Sequence, residues 1–219
     1  MGQLTVGWRG GYNAEMSQPS LVLGTRNQHK VLELRELLDP LGIAVRSLAE
    51  FPEAVEVVED GATFAANAAQ KAAEQAQALR RWVLAEDSGL CVDALGGAPG
   101  VYSARYAGES CDDQANNQKL LAELTDVPLE RRIAHYVCSA ALADPQGAIQ
   151  ATSEAYCRGR ILLAPAGVGG FGYDPLFEIP EYHLTFGQLG PAVKAVISHR
   201  ARAMRRIVAD IERFVKLNP

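Results

Sequence analysis

The stretch from Leu84 to Ala107 constrains this chain most. Trp82-Val83-Leu84-Ala85 is a short apolar run of strand character, and it ends in two adjacent carboxylates, Glu86 and Asp87. Ser88 and Gly89 then read as a turn. Open α/β sheets gather their ligands at the carboxyl ends of strands. An acid buried there without a partner would be too costly, so it serves as a metal ligand or a general base, or else it lies in a solvated turn. A bare Glu-Asp pair favours the solvated turn. Gly96-Gly97-Ala98-Pro99-Gly100 and Tyr102-Ser103-Ala104-Arg105-Tyr106, just downstream, weigh against it.

With 219 residues the chain fits one sizeable domain, or one domain with two lobes. Its net charge of −5 provides no basic field for a nucleic-acid backbone. An anionic substrate must therefore meet local cations or a metal. No apolar run approaches the roughly 20 residues that cross a bilayer, so no membrane partner is expected. Cys91, Cys111, Cys138 and Cys157 are widely spaced and form no Cys-x-x-Cys pair. They read as reduced thiols of a cytoplasmic protein rather than as zinc ligands. Residues 1–19 are polar and Gly-rich without periodicity, and read as a disordered extension with Met16 as an alternative start. Residues 20–219 are expected to form a single domain.

Leu21-Val22-Leu23-Gly24 is a second short strand, followed at once by Thr25-Arg26-Asn27-Gln28-His29-Lys30 and a helix. Asn27 suits the N-cap, and Val31, Leu34, Leu38 and Leu41 mark the apolar face. A helix N-terminus with a lysine in its first turn suits a phosphate, although the Walker pattern is absent. Gly42 closes the helix, and Ile43-Ala44-Val45 reads as a strand. The acidic run Glu53, Glu56, Glu59 and Asp60 leads into a helix from Thr63 to about Arg81. That helix carries an apolar line, Phe64, Ala68, Ala72 and Ala76, beside a polar line, Thr63, Asn67 and Lys71. Asn67 and Lys71 can face the same ligand as Lys30.

Asp112 or Asp113 caps a further helix running to about Leu124, whose polar face reads as plain surface. Arg132 to Ala143, the turn Asp144-Pro145-Gln146-Gly147 and Ala148 to Cys157 read as a hairpin with a structural role. In Gly167-Val168-Gly169-Gly170-Phe171-Gly172-Tyr173-Asp174-Pro175, glycines let the backbone approach a ligand closely. Phe171 and Tyr173 can stack on a flat ring, and Asp174 can bond to its edge; an aromatic plug in a glycine loop is the alternative. Lys194 precedes Ser198-His199-Arg200, which opens the last helix, with Met204, Ile207, Ile211 and Val215 as its buried face. Cations in a first helical turn oppose the dipole and need another reason, such as a ligand.

Together these segments resemble the inosine triphosphate pyrophosphatase family, from Leu21 to about Phe214. The resemblance rests on Thr25-x-Asn27-x-x-Lys30, on Glu59-x-Gly61-x-Thr63-Phe64-x-x-Asn67-Ala68 with Lys71, and on Glu86-Asp87-Ser88-Gly89-Leu90. It continues through Leu95 to Arg105 and Gly169 to Pro175, and ends with Lys194 and Ser198-His199-Arg200. Each element is weak alone; all of them in the family's order are specific.

The resemblance implies an α/β fold, an elongated mixed β-sheet flanked by helices, with two lobes around a central nucleotide-binding cleft, usually as a homodimer. It implies hydrolysis of deaminated purine nucleoside triphosphates, ITP, dITP and XTP, to the monophosphate and pyrophosphate, with Mg²⁺ as the metal. Under it Asp87 is the general base, and Glu59 and Asp87 hold the metal with Glu86 nearby. Lys30, Lys71, Lys194 and the amides after Thr25 neutralise the triphosphate, and Ser88 touches the substrate. Thr25, Arg26, Asn27, Gln28, His29 and Asn67 complete the phosphate side. Phe171, Gly172, Tyr173 and Asp174 hold the base, and His199 and Arg200 donate to its 6-oxo group. Adenine, with an amino group there, leaves those donors unpaired; guanine keeps the 6-oxo group, so this reading does not account for its rejection. One departure stands out: Phe186 to Val193, before Lys194, carries no carboxylate where family members commonly have an acidic run. A nucleotide-binding protein without turnover and a pyrophosphatase of modified pyrimidine nucleotides are the competing readings.

Overall fold

The computed structural model describes residues 19–110 and 112–217. The expected N-terminal extension and the Cys111 thiol lie outside the described residues, apart from Pro19. The chain forms an α/β fold on one mixed seven-stranded sheet, in the order β2-β1-β3-β4-β5-β6-β7. The strands are β1 (Ser20–Leu23), β2 (Ala44–Ser47), β3 (Val83–Val92), β4 (Ile133–Ala143), β5 (Ile149–Ile161), β6 (Phe177–Ile179) and β7 (Leu184–Thr185). The α-helices are α1 (Gln28–Leu38), α2 (Phe64–Leu79), α3 (Asp113–Glu123), α4 (Pro191–Ile197) and α5 (His199–Leu217).

Alternation along β3 sorts the core into layers. Leu84 joins Leu21, Leu23 and Leu142 on the face covered by α1 and α5, through Val31, Leu34, Leu38, Met204, Ile207, Ile211 and Val215. Val83 and Ala85 face the other way, against Ala68, Ala72 and Ala76 of α2. The alanine line lets that helix approach the sheet closely. The far end of β3, Leu90 and Val92, packs with Leu120 and Leu124 and with Tyr173, Phe177 and Phe186.

β3 does not turn at Ser88-Gly89. It pairs in parallel with β1 only through Val83 and Leu84, then continues antiparallel to β4 as far as Val92. The acids are therefore mid-strand, just past the point where β1 ends. Gly89 is needed here for space rather than for bending. A Cβ there would sit 2.4 Å from Ser103 Oγ and 2.6 Å from the Gly100 carbonyl oxygen. Ser103 Oγ accepts from the Leu90 amide at 2.8 Å, so the segment carrying Gly100 to Arg105 lies directly on the strand.

Candidate active site

Where β1 stops, the sheet opens. The Gly24 amide still donates to the Leu84 carbonyl, and an added Cβ on Gly24 would lie 2.7 Å from Ala85 Cβ. Beyond it, Thr25-Arg26-Asn27 turns into α1. Asn27 Oδ1 accepts from the His29 and Lys30 amides at 3.0 and 3.3 Å, and Thr25 Oγ1 accepts from the Asn27 amide. The cap thus takes two of the amides expected to meet phosphate. Arg26 donates to the Ala54 carbonyl at 3.4 Å and stays at the border of the cavity on that side. Gln28 is exposed and borders none of the cavities described below.

Because neighbours in a strand point to opposite faces, Glu86 and Asp87 part company. Asp87 turns toward α2, where Lys71 Nζ lies 3.1 Å from Oδ1 and Asn67 Nδ2 donates to Oδ2 at 3.1 Å. Lys71 also pairs with Glu59 at 2.8 Å. Asn67 Oδ1 in turn accepts from the Gly61 amide, which ties the acidic loop to the helix. Burial pushes the Asp87 carboxyl up, and Lys71 opposes this only in part. Burial works against the Lys71 charge, but Asp87 and Glu59 outweigh it and hold the ammonium above its usual value.

Glu86 turns toward α1 and α5 and is 4% exposed. Lys30 Nζ lies 2.7 Å from it, an Arg200 nitrogen lies 3.6 Å away, and the Cys138 thiol donates to it at 3.2 Å. Burial opposes its charge, yet Arg200 and Lys30 hold the carboxyl well below the usual range. Burial, with Glu86 adding, pushes the Cys138 thiol well up, so it stays an S–H donor.

Arg200 is only 1% exposed. Its partners are Glu33, Glu86 and, at 3.2 Å, Ser88 Oγ. These carboxylates are the reason a guanidinium sits in the first turn of α5. His199 is not a cation there: burial, then Arg200, pushes its imidazole well below the ordinary value. Its ring stacks on Tyr136 at 4.6 Å. His199 Nδ1 and Arg200 Nε are both buried and have no hydrogen-bond partner.

Phe171 sits on the glycine loop, stacked on His29 at 5.4 Å, with Lys194 Nζ 4.5 Å from its centroid. Asp174 Oδ2 accepts from the Phe171 amide at 2.9 Å and pairs with Lys194 at 2.7 Å. Burial pushes the Asp174 carboxyl up against the pull of Lys194. Tyr173 is buried and its hydroxyl donates to the Ser103 carbonyl, so it anchors the loop.

Two cavities meet at Lys30 and Ser88. One, of about 290 Å³, is bordered by Thr25, Arg26, Glu59, Lys71, Glu86 and Asp87. The other, of about 180 Å³, is bordered by Asn27, Phe171, Gly172, Tyr173, Asp174, Lys194, His199 and Arg200. A third, of about 370 Å³, lies against His29, Glu33, Phe171, Lys194 and Ser198.

Several residues here carried no assigned role in the sequence. Glu33 pairs with both Arg200 and Lys194; its place three residues after Lys30, on the same side of α1, is the signal that could have found it. The polar face of α3 is not plain surface. Asp113 accepts from the Gly172 amide at 2.7 Å, and Asn117 donates to the Gly172 carbonyl at 2.9 Å. The β4–β5 hairpin is not merely structural either, since it supplies Tyr136 and Cys138.

Among the described residues, no three His, Cys, Asp or Glu side chains converge on a cation site. Glu59 and Asp87 do share one cation already, the Lys71 ammonium. Magnesium takes one or two carboxylates and completes its shell with water and substrate phosphates, so this pair fits it.

The Ham1 family profile matches residues 21–210. The chain is 58% identical to the dITP/XTP pyrophosphatase of Rhodopirellula baltica, over 90% of this chain and 95% of that one. It is 53% identical to the dITP/XTP pyrophosphatase of Desulforamulus reducens, over 89% and 96%. Among solved structures, a HAM1 protein from Coxiella burnetii superposes with a TM-score of 0.81 at 36% identity, covering 89% of this chain and 98% of that one. The nucleoside-triphosphatase / dITP/XTP pyrophosphatase of Mycobacterium abscessus gives a TM-score of 0.71 at 42% identity, over 86% and 98%.

Proposed function

The chain belongs to the Ham1 family, and from that membership we propose that it hydrolyses deaminated purine nucleoside triphosphates, ITP, dITP and XTP, to the monophosphate and pyrophosphate. The observation that carries the proposal is the pair of joined cavities. One end holds a buried carboxylate set between Lys71 and Asn67; the other holds buried polar nitrogens without partners beside an aromatic ring.

In this reading the triphosphate lies along Lys30 and Lys71 with Ser88 at the junction. Asn67 and Lys71 fix the two oxygens of Asp87. Asp87, with its proton affinity raised by burial, accepts the proton of the attacking water. The water oxygen bonds to phosphorus at the α–β anhydride, the bridging P–O bond breaks, and pyrophosphate leaves. Glu59 and Asp87 would hold Mg²⁺, whose contribution when bound is positive charge beside the phosphate oxygens. Glu86, on the opposite face and already engaged by Lys30 and Arg200, is left out of that pair.

The purine enters the cavity of Phe171, His199 and Arg200. A 6-oxo acceptor would satisfy a buried nitrogen that is otherwise orphaned, and an amino group would not. Pyrophosphate release from dITP, dGTP and dATP, with and without Mg²⁺, tests this. Fast metal-dependent release from dITP and slow release from dATP is the expected result. Equal rates on all three would remove the base-reading role of His199 and Arg200, and release from pyrimidine triphosphates alone would replace the substrate class.

We also propose a homodimer. Its support is a part of the sheet that α2 leaves uncovered. Ile133, Tyr102 and Tyr156 are exposed there around His135 and Val137. The free thiols Cys91, Cys138 and Cys157 support a reducing, cytoplasmic setting. No helix among the described residues is long and apolar enough to cross a membrane.

A further inference from the structure

A row of charged side chains of alternating sign joins the two cavities. Asp174 pairs with Lys194 at 2.7 Å, and Lys194 with Glu33 at 3.1 Å. Glu33 pairs with Arg200, Arg200 lies 3.6 Å from Glu86, and Glu86 lies 2.7 Å from Lys30. The row begins at the loop that carries Phe171 and ends at the lysine of the phosphate cavity. Glu33 connects two cations of the base side. Glu86 alone in this row connects a cation of the base side with Lys30, the lysine at which the two cavities meet.

We propose that Glu86 is a positioning residue that couples base reading to triphosphate binding, by dividing one buried carboxylate between Arg200 and Lys30. The proposal rests on the assignment of the two cavities given above. Its two contacts are unequal. Lys30 is in direct contact, whereas the Arg200 nitrogen stands beyond the 2.7–2.9 Å typical of a charge-assisted hydrogen bond. A phosphate arriving at Lys30 competes for the ammonium. Glu86 is then left to Arg200, which draws the guanidinium in and fixes the direction of its unpartnered Nε. Linkage makes the effect reciprocal, so a base held by Arg200 tightens phosphate binding by the same factor. The Cys138 thiol keeps the carboxylate in place from the β4 side. Its hydrogen bond orients Glu86 without adding a charge that would compete with either cation.

The test separates the substrate into its two halves. The affinity for deoxyinosine is measured by calorimetry without and with saturating inorganic tripolyphosphate, in the wild type and in Glu86→Gln. The wild type is expected to bind deoxyinosine at least about fivefold more tightly with the anion present. In Glu86→Gln the two affinities are expected to agree within about twofold, and the dITP to dATP ratio of kcat/KM to fall about tenfold or more. The Mg²⁺ concentration for half-maximal activity is expected to stay within about twofold. An equal anion effect in both proteins overturns the proposal. So does a tenfold higher Mg²⁺ requirement with the coupling intact, which would make Glu86 a metal ligand. If Glu86→Gln does not fold, Cys138→Ala carries the test: it is expected to weaken the anion effect at least twofold, and an unchanged effect counts against the proposal. Both halves binding the wild type without influencing one another defeats the coupling alone. Failure of either half to bind defeats the cavity assignment, and the coupling with it.

Discussion

Asp87 is restrained on both oxygens, and its neighbours suit it to the base role proposed above. Asn67 and Lys71 set its direction while burial raises its affinity for a proton. Asp87→Asn keeps the shape and the Lys71 contact but cannot take a proton. It is expected to lower kcat by about 10²–10⁴-fold while dITP binding stays within a few-fold, as read by single-turnover kinetics and calorimetry. His199 makes a different prediction, for stability. Its folded value is pushed well below the ordinary one, so the unfolded chain binds a proton that the folded protein refuses. Stability is therefore unaffected above about pH 6.5 and declines as the pH falls below it. His199→Phe, which can still stack on Tyr136, is expected to flatten that decline in unfolding curves taken between pH 7 and 5. Asp87, Lys71 and Asn67 could be named as candidates from the sequence because their spacing is local or belongs to a motif, and the structure brings the three into contact. For Glu33 the spacing from Lys30 marks the side of α1 it shares but not its partners. On α1 it reads as one surface acid among several, and only the packing of α5 brings Arg200 to it.

The elements carry the site by their ends and edges. Asn27 and Thr63 cap α1 and α2 as their types suggest, because a cap is decided by a few neighbouring residues. Likewise the Phe64, Ala68, Ala72 and Ala76 line is buried, since helical period alone sets it. β3 was harder to read. Ser88-Gly89 has the composition of a turn, yet β4 supplies ten partners in register and holds the strand straight through. The same distant pairing brings Tyr136 and Cys138 under the site, which local pattern cannot foresee. α3 supports the glycine loop through Asp113 and Asn117. Replacing both with alanine is expected to raise KM for dITP several-fold with a smaller change in kcat, since the proposed function gives this loop the base and not the reacting phosphate. Equal losses in kcat and kcat/KM would instead put the loop in the transition state.

At the scale of the whole molecule, the sheet is covered unevenly. The α1 and α5 side is closed, while the region around Tyr156, Ile133 and Tyr102 remains open. If that face pairs with a second copy, Tyr156→Arg combined with Ile133→Arg is expected to shift sedimentation from dimer to monomer; a wild-type monomer at all concentrations would remove the idea. Oligomeric state has no period in the sequence, which is why only the finished surface raises it. The two halves of the sheet also differ in how far the chain travels to build them. β4 and β5 close over the turn at Asp144 to Gly147, whereas Val22 finds Val83 only after α1, β2 and α2 have intervened. Contacts distant along the chain pay their loop-closure entropy before they are rewarded. The hairpin is therefore expected to gain hydrogen-exchange protection early in refolding, and β1 late. Because Lys30, the partner of Glu86, stands on the helix that follows β1, pyrophosphate-releasing activity should return with the protection of β1, after most of the sheet has already formed.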